Sequence, residues 1–297
     1  MTAPTLSGTF AALYTPFTGD GAVDLDAYRA LADRLVDAGV GLVPCGTTGE
    51  TPTLTPDEYT ACVRAAVDVS AGRVPVLAGT GSNATAHAIE TTRHAKELGV
   101  DAALVVTPYY NKPPQPSLLA HFRAVADQGG LPVVLYNVPG RTGSNLLPET
   151  TLALAAHPNI VAVKEASGSM AQVEALLTRR PPGFAVLSGD DALAMPLVLA
   201  GGDGVISVAA NALPREVKAL MDAALAGDVG EARALQAKLL PFMNAIFCTT
   251  NPIPIKRVAS WLGHGRPDCR LPLTADALDD GMATRLRDAL RHAGVSL

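Results

Sequence analysis

The chain has 297 residues, 48% hydrophobic and 17% charged, with a net charge of −5. That balance excludes a disordered chain. With no basic block or aromatic-basic stripe, nucleic acid is not an expected partner.

In chain order, apolar runs rich in β-branched residues recur about every thirty residues. They begin at Thr9 (TFAALYTPF), Gly41 (GLVPCG), Val74 (VPVLAGT), Ala102 (AALVVTPYY), Leu131 (LPVVLYNVP), Ile160 (IVAVKEAS), Phe184 (FAVLSGDD) and Gly204 (GVISVAAN). Helical patterns lie between them. DLDAYRALADRLVDAGV predicts a helix capped by Asp24 and stopped by Gly39, and NATAHAIETTRHAKELGV one capped by Asn83 and stopped by Gly99. The strands are apolar at nearly every position, which is the pattern of a parallel sheet covered on both faces. Eight such units predict an α/β fold, a (β/α)8 TIM barrel over residues 1–227, with an open doubly wound sheet as the structural alternative. Beyond it, residues 228–297 read as a C-terminal helical region suited to packing or oligomer contacts, after a break at Gly227. The start, MTAPTLSGTF, lacks a basic segment and an apolar segment, so no signal peptide is expected. No apolar stretch is long enough to span a bilayer, so no membrane partner is expected. Cysteines Cys45, Cys62, Cys248 and Cys269 form no CxxC pair, in keeping with a reducing, cytoplasmic setting.

Barrel enzymes place their chemistry where the strands end. The second run ends in Cys45-Gly46-Thr47-Thr48-Gly49-Glu50, the fourth in Thr107-Pro108-Tyr109-Tyr110-Asn111, and the fifth in Tyr136 and the loop to Gly143. The sixth carries Lys164 and Glu165, and the seventh ends in Ser188-Gly189-Asp190-Asp191. Lys164 is the one lysine at the end of a buried apolar strand. Burial disfavours its ammonium, and a neutral amine forms Schiff bases with carbonyl substrates. The plainer reading is a lysine that snorkels to the barrel mouth or pairs with a carboxylate. Tyr136, one βα unit earlier, is placed to move protons, or else is a wall residue bonded to backbone. Thr47 and Thr48, between two glycines, can hold a small carboxylate or simply make a turn. Arg141 can clamp a second carboxylate or make a surface ion pair.

Three motifs are set aside. GTGSNA from Gly79 matches a dinucleotide fingerprint, but Asp101 precedes the next strand instead of closing it. His87 and His94 lack HExxH spacing, so no metal is expected. Asp190 and Asp191 read as an N-cap pair for the helix ALAMPLVLA.

Taken together, GTTGE, TPYYN, YNVPGRTG, VKEASG, LSGDD, GVISV and NPIPIK, in this order and across essentially the whole chain, resemble the dihydrodipicolinate synthase family of pyruvate-dependent class I aldolases. The resemblance implies condensation of pyruvate, bound as a Schiff base on Lys164, with L-aspartate 4-semialdehyde, on the route to diaminopimelate and lysine, without a cofactor. It implies a proton relay of Tyr136, Thr47 and Tyr110, with Tyr110 coming from a neighbouring subunit. Thr48 would bind the pyruvate carboxylate and Arg141 that of the semialdehyde, with Gly189 and Ile206 lining the site through backbone groups. A homotetramer, a dimer of dimers, is the implied assembly. Sister aldolases acting on sugar acids or N-acetylneuraminate share the Thr-Thr turn, and a non-catalytic 2-oxo acid sensor is a further alternative. Arg141 and the intact relay argue against these.

One departure stands out. Lysine-inhibited members hold the inhibitor's amine with a glutamate, whose place here is taken by His87; Pro56 and Tyr59 stand at the histidine positions, while Asn83 and Tyr109 match. Weak or absent feedback by lysine is therefore expected.

Overall fold

The computed structural model describes residues 6–296. In chain order the elements are β1 (Gly8–Ala12), α1 (Leu25–Asp37), β2 (Gly41–Val43), α2 (Pro56–Ser70), β3 (Leu77–Gly79), α3 (Thr85–Glu97), β4 (Ala102–Val106), α4 (Gln115–Gln128) and β5 (Val133–Asn137). Then come α5 (Pro139–Thr142), α6 (Pro148–Ala155), β6 (Ile160–Glu165), α7 (Met170–Leu177), β7 (Ala185–Ser188), α8 (Ala194–Leu199), β8 (Gly204–Ser207) and α9 (Pro214–Leu225). Three C-terminal helices follow: α10 (Val229–Ala245), α11 (Ile253–Trp261) and α12 (Asp280–His292).

The strands run parallel in the order β2-β1-β8-β7-β6-β5-β4-β3. A bridge between Leu42 and Val76 joins the two ends, so the sheet closes into the expected (β/α)8 barrel. Closure explains why the strands are apolar throughout. Phe10, Val43, Leu77, Leu104, Val134, Ala162, Leu187 and Ile206 fill the interior. Their neighbours Ala11, Leu42, Ala78, Val105, Val133, Val163, Val186 and Val205 pack outward against the helices. This two-residue alternation decides where the lysine goes. On β6, Ala162 faces in and Val163 faces out. Lys164 therefore turns inward again, at the C-terminal end of the barrel.

The local signals hold for α1. Asp24 accepts a hydrogen bond from the Ala27 N–H at 2.9 Å, and Gly39, at φ +72°, turns the chain out of the helix. Two caps differ from expectation. Helix α3 starts after Ala84 and has no side-chain cap. Asn83 lies one position too early, and its carbonyl accepts from Asn111 Nδ2 at 2.9 Å. The Asp190–Asp191 pair does not cap α8, which begins after Leu193. Asp191 instead turns into the protein, where Ser207 Oγ and the N–H groups of Val208 and Ala209 donate to its carboxylate. Those two N–H groups lie just past β8, where no strand partner reaches them.

Candidate active site

Lys164 and Tyr136 are register partners across β6 and β5, so both rise from the barrel interior at one level. The ammonium sits 4.4 Å from the centre of the Tyr136 ring. Lys164 is 5% exposed, and among the described residues no carboxylate pairs with it. Its pKa is held down to about 8, chiefly because burial disfavours the charged form; Asp191 pulls it partly back up and Arg141 pushes it further down. Roughly a tenth of the amine is thus neutral at pH 7. Burial also raises the Tyr136 phenol, with Arg141 and then Thr47 opposing that rise.

Gly189 follows β7 and faces the lysine stem. A methyl group there would stand 2.6 Å from Ala166 Cβ and 3.0 Å from Lys164 Cε. Gly189→Ala is therefore expected to push Lys164 off its line and lower turnover at least about tenfold, since a misplacement of about 1 Å can cost 10²-fold. Turnover within twofold of the unmodified chain would show that the lysine tolerates the displacement.

The turn after β2 supplies hydroxyls to the same cavity. Thr47–Gly49 is a single 3-10 turn, entered from Cys45 at φ +54° and left through Glu50 at φ +54°. Those two non-glycine residues in the left-handed region need outside support. Thr15 Oγ1 donates to the Gly49 carbonyl at 2.8 Å, and Thr51 Oγ1 to that of Gly46 at 2.9 Å. Thr47, Thr48, Tyr136, Arg141, Lys164 and Gly189 line one cavity of about 190 Å³. Such a space suits a molecule of a few carbon atoms. Arg141 sits on the short helix α5, which Thr107 Oγ1 ties to β4 through Thr142 Oγ1 at 3.2 Å.

Of the remaining expected positions, Ile206 does not line this cavity, and Tyr110 was expected from a neighbouring subunit. Ile206 is fully buried inside the barrel, and Val208, two residues on, lines the cavity in its place. Tyr110 is 88% exposed, held at φ +74°, and does not line the cavity of its own chain. The proposed regulatory positions fall beside the site. Pro56, Tyr59 and His87 share one cleft, and an adjoining cleft carries His87 and Tyr109 to Thr47 and Arg141.

Sequence reasoning missed Asn251 and Lys256. Asn251 Nδ2 donates to Thr48 Oγ1 at 2.9 Å. Lys256, fully buried, lies 2.5 Å from Glu50 Oε1 and 4.0 Å from the centre of the Phe17 ring. NPIPIK carries only part of the signal: Lys256 follows Ile253, Pro254 and Ile255 on a mostly buried helix, but nothing local names the anion that a buried cation needs. Among the described residues, no group of three or more His, Cys, Asp or Glu side chains is placed to hold a metal ion.

Residues 5–293 match the model of the dihydrodipicolinate synthetase family. The chain belongs to that family. A 4-hydroxy-tetrahydrodipicolinate synthase from Citrifermentans bemidjiense is 51% identical over 267 residues, covering 90% of this chain and 92% of the relative. The crystal structure of dihydrodipicolinate synthase from Aquifex aeolicus superposes with a TM-score of 0.94 at 44% identity, covering 98% of this chain and 99% of that one. The chloride-inhibited enzyme from Acinetobacter baumannii, solved with pyruvate, superposes at 0.95 with 42% identity, covering 98% and 100%. The barrel of this chain is thus one shared with solved members of the dihydrodipicolinate synthetase family.

Proposed function

We propose that this chain condenses pyruvate with L-aspartate 4-semialdehyde to give 4-hydroxy-tetrahydrodipicolinate, a step toward diaminopimelate and lysine. The observation that carries this reading is an unpaired, desolvated Lys164 sharing one small cavity with Tyr136, Thr47, Thr48 and Arg141. The neutral amine of Lys164 attacks the pyruvate carbonyl, and loss of water leaves an iminium. The iminium is the electron sink, so no cofactor is needed. A methyl proton of the bound pyruvate is then removed, and the enamine attacks the aldehyde. The amine of the semialdehyde closes the ring and displaces Lys164. Tyr136 and Thr47 relay the protons with Tyr110 of a neighbouring subunit, Thr48 and the Gly189 backbone face the pyruvate, and Arg141 holds the second carboxylate through its planar fork.

The relay implies an assembly, and we propose a homotetramer built as a dimer of dimers. Its support is Tyr110, an aromatic side chain left in solvent on a left-handed backbone position. The related pyruvate-bound structure supports pyruvate as the first substrate. Among the described residues, no helix is long and apolar enough to cross a membrane; the proposed place of work is the cytoplasm.

Feedback by lysine is expected to be weak. In the cleft beside Tyr59, His87 stands where a carboxylate would hold a cationic inhibitor. A charged hydrogen bond of about 1.5–3 kcal/mol is lost with it. Millimolar L-lysine should leave turnover within about twofold; strong inhibition in a steady-state assay would mean other groups bind the amine.

The reading is tested with purified protein, pyruvate and L-aspartate 4-semialdehyde, coupled to the reductase that consumes the product with NADPH. Robust turnover supports it. Pyruvate trapped on Lys164 by borohydride without turnover would move the substrate to another aldehyde or the role to a sensor.

A further inference from the structure

We propose that Asn251 is a positioning residue for the Thr48 hydroxyl, and that the buried Lys256–Glu50 pair holds it there. This rests on the reading of the Thr47–Thr48 turn as the pyruvate carboxylate subsite.

The direction of its proton sets Thr48 apart from its neighbours. Around this turn the threonine hydroxyls give their protons to backbone: Thr15 to Gly49, Thr51 to Gly46 and Thr53 to Glu50. Thr48 differs. Its oxygen accepts from Asn251 Nδ2 at 2.9 Å, in a buried contact. A hydroxyl has one proton and two lone pairs. With a lone pair engaged from the α11 side, and no protein acceptor for its proton among the described residues, Thr48 is left to donate into the cavity. A carboxylate oxygen is the acceptor such a donor suits best.

Asn251 is itself set for this task. It is 4% exposed and lines the cavity. Its Oδ1 is buried without a protein partner, as are the amide oxygens of Asn211 and Gln236, but of the three only Asn251 lines the cavity. Its backbone carbonyl makes a long contact, 3.5 Å, with Arg141 Nη2. One residue thus touches both side chains assigned to carboxylates.

The chain segment is pinned at both ends of the turn. Asn251 holds Thr48, and Lys256, at the middle of α11, holds Glu50, the residue that ends the turn. The Arg270 N–H donates to the other Glu50 oxygen at 2.9 Å. The C-terminal region is therefore a brace for the turn as well as packing.

A double-mutant cycle tests this, with the full-length chain, pyruvate and the semialdehyde as substrates. Thr48→Val and Asn251→Ala are each expected to raise the KM for pyruvate about tenfold, a charge-assisted hydrogen bond's worth. The KM for the semialdehyde should move less than about twofold in both. The double variant should be no worse than Thr48→Val alone, because both changes remove one interaction. Asn251→Asp, nearly isosteric, guards against a folding failure. Its carboxylate would take the Thr48 proton and repel the substrate, so it should bind pyruvate more weakly than Asn251→Ala. The proposal is overturned if Asn251→Ala leaves the pyruvate KM unchanged, if its effect adds in full to that of Thr48→Val, or if Asn251→Asp binds pyruvate as the unmodified chain does. Should Thr48→Val itself leave the pyruvate KM unchanged, the subsite assignment fails, and the positioning role fails with it for a separately visible reason.

Discussion

Lys164→Met is expected to lose turnover by roughly 10⁴-fold or more, as removal of a covalent nucleophile does, and yet to melt at a higher temperature than the unmodified chain. The two effects have one cause. The folded state lowers the lysine pKa from 10.5 to about 8 through burial. Between those values the unfolded chain binds the proton more tightly, so stability rises with pH across that window and is lowest below pH 8. At pH 7 the full penalty is present, on the order of 3 kcal/mol. Methionine fills the same space without a charge and removes it. The gain in Tm should be several degrees at pH 7 and should shrink as the pH rises from 8 toward 10.5. Melting curves at two pH values check this. A variant that melts lower at pH 7 would mean that the lysine contributes packing or hydrogen bonds that outweigh its desolvation.

The other buried lysine gives the opposite result. Lys256→Met leaves the Glu50 carboxylate 3% exposed and without its cation. Breaking a buried pair on one side costs about 3–5 kcal/mol. The expected drop in Tm is therefore large, roughly 10 °C for a domain of this size. Adding Glu50→Gln should recover more than half of the loss, because the buried charge goes and the amide oxygen still accepts from the Arg270 N–H. Thermal melts of the three variants measure this. Full additivity, or a Lys256→Met variant that melts with the unmodified chain, would show that Glu50 finds water or another cation.

These two lysines also show what could be read from the sequence. The barrel was legible because each strand is buried on both faces, so its apolar run is unbroken and its end is visible. Lys164 interrupts such a run and could be found for that reason. Tyr136, Thr47, Thr48 and Arg141 lie at strand ends or in the loops just after them, so the closed sheet brings them together on one rim. Lys256 sits on a helix, where a charge every few residues is ordinary. Its burial depends on Glu50, more than two hundred positions earlier, and no local pattern reports a pairing over that distance. Asn251 is hidden for the same reason. Asp191 read as a cap because Asp before a helix usually is one. Its actual task, receiving the unpaired N–H groups after β8, depends on where β7 and β8 end side by side. Ile206 sits below the cavity and Val208 beside it, a difference of one inward step along the chain.

The most direct measurement is the pH dependence of pyruvate capture on Lys164. The protein is mixed with pyruvate and borohydride at a series of pH values, and the modified peptide is located by mass spectrometry. One reduced pyruvate per chain is expected, on Lys164, with a capture rate that falls about tenfold per pH unit below an apparent pKa near 8. Capture on another lysine, or no capture at any pH, would contradict the Schiff-base role of Lys164.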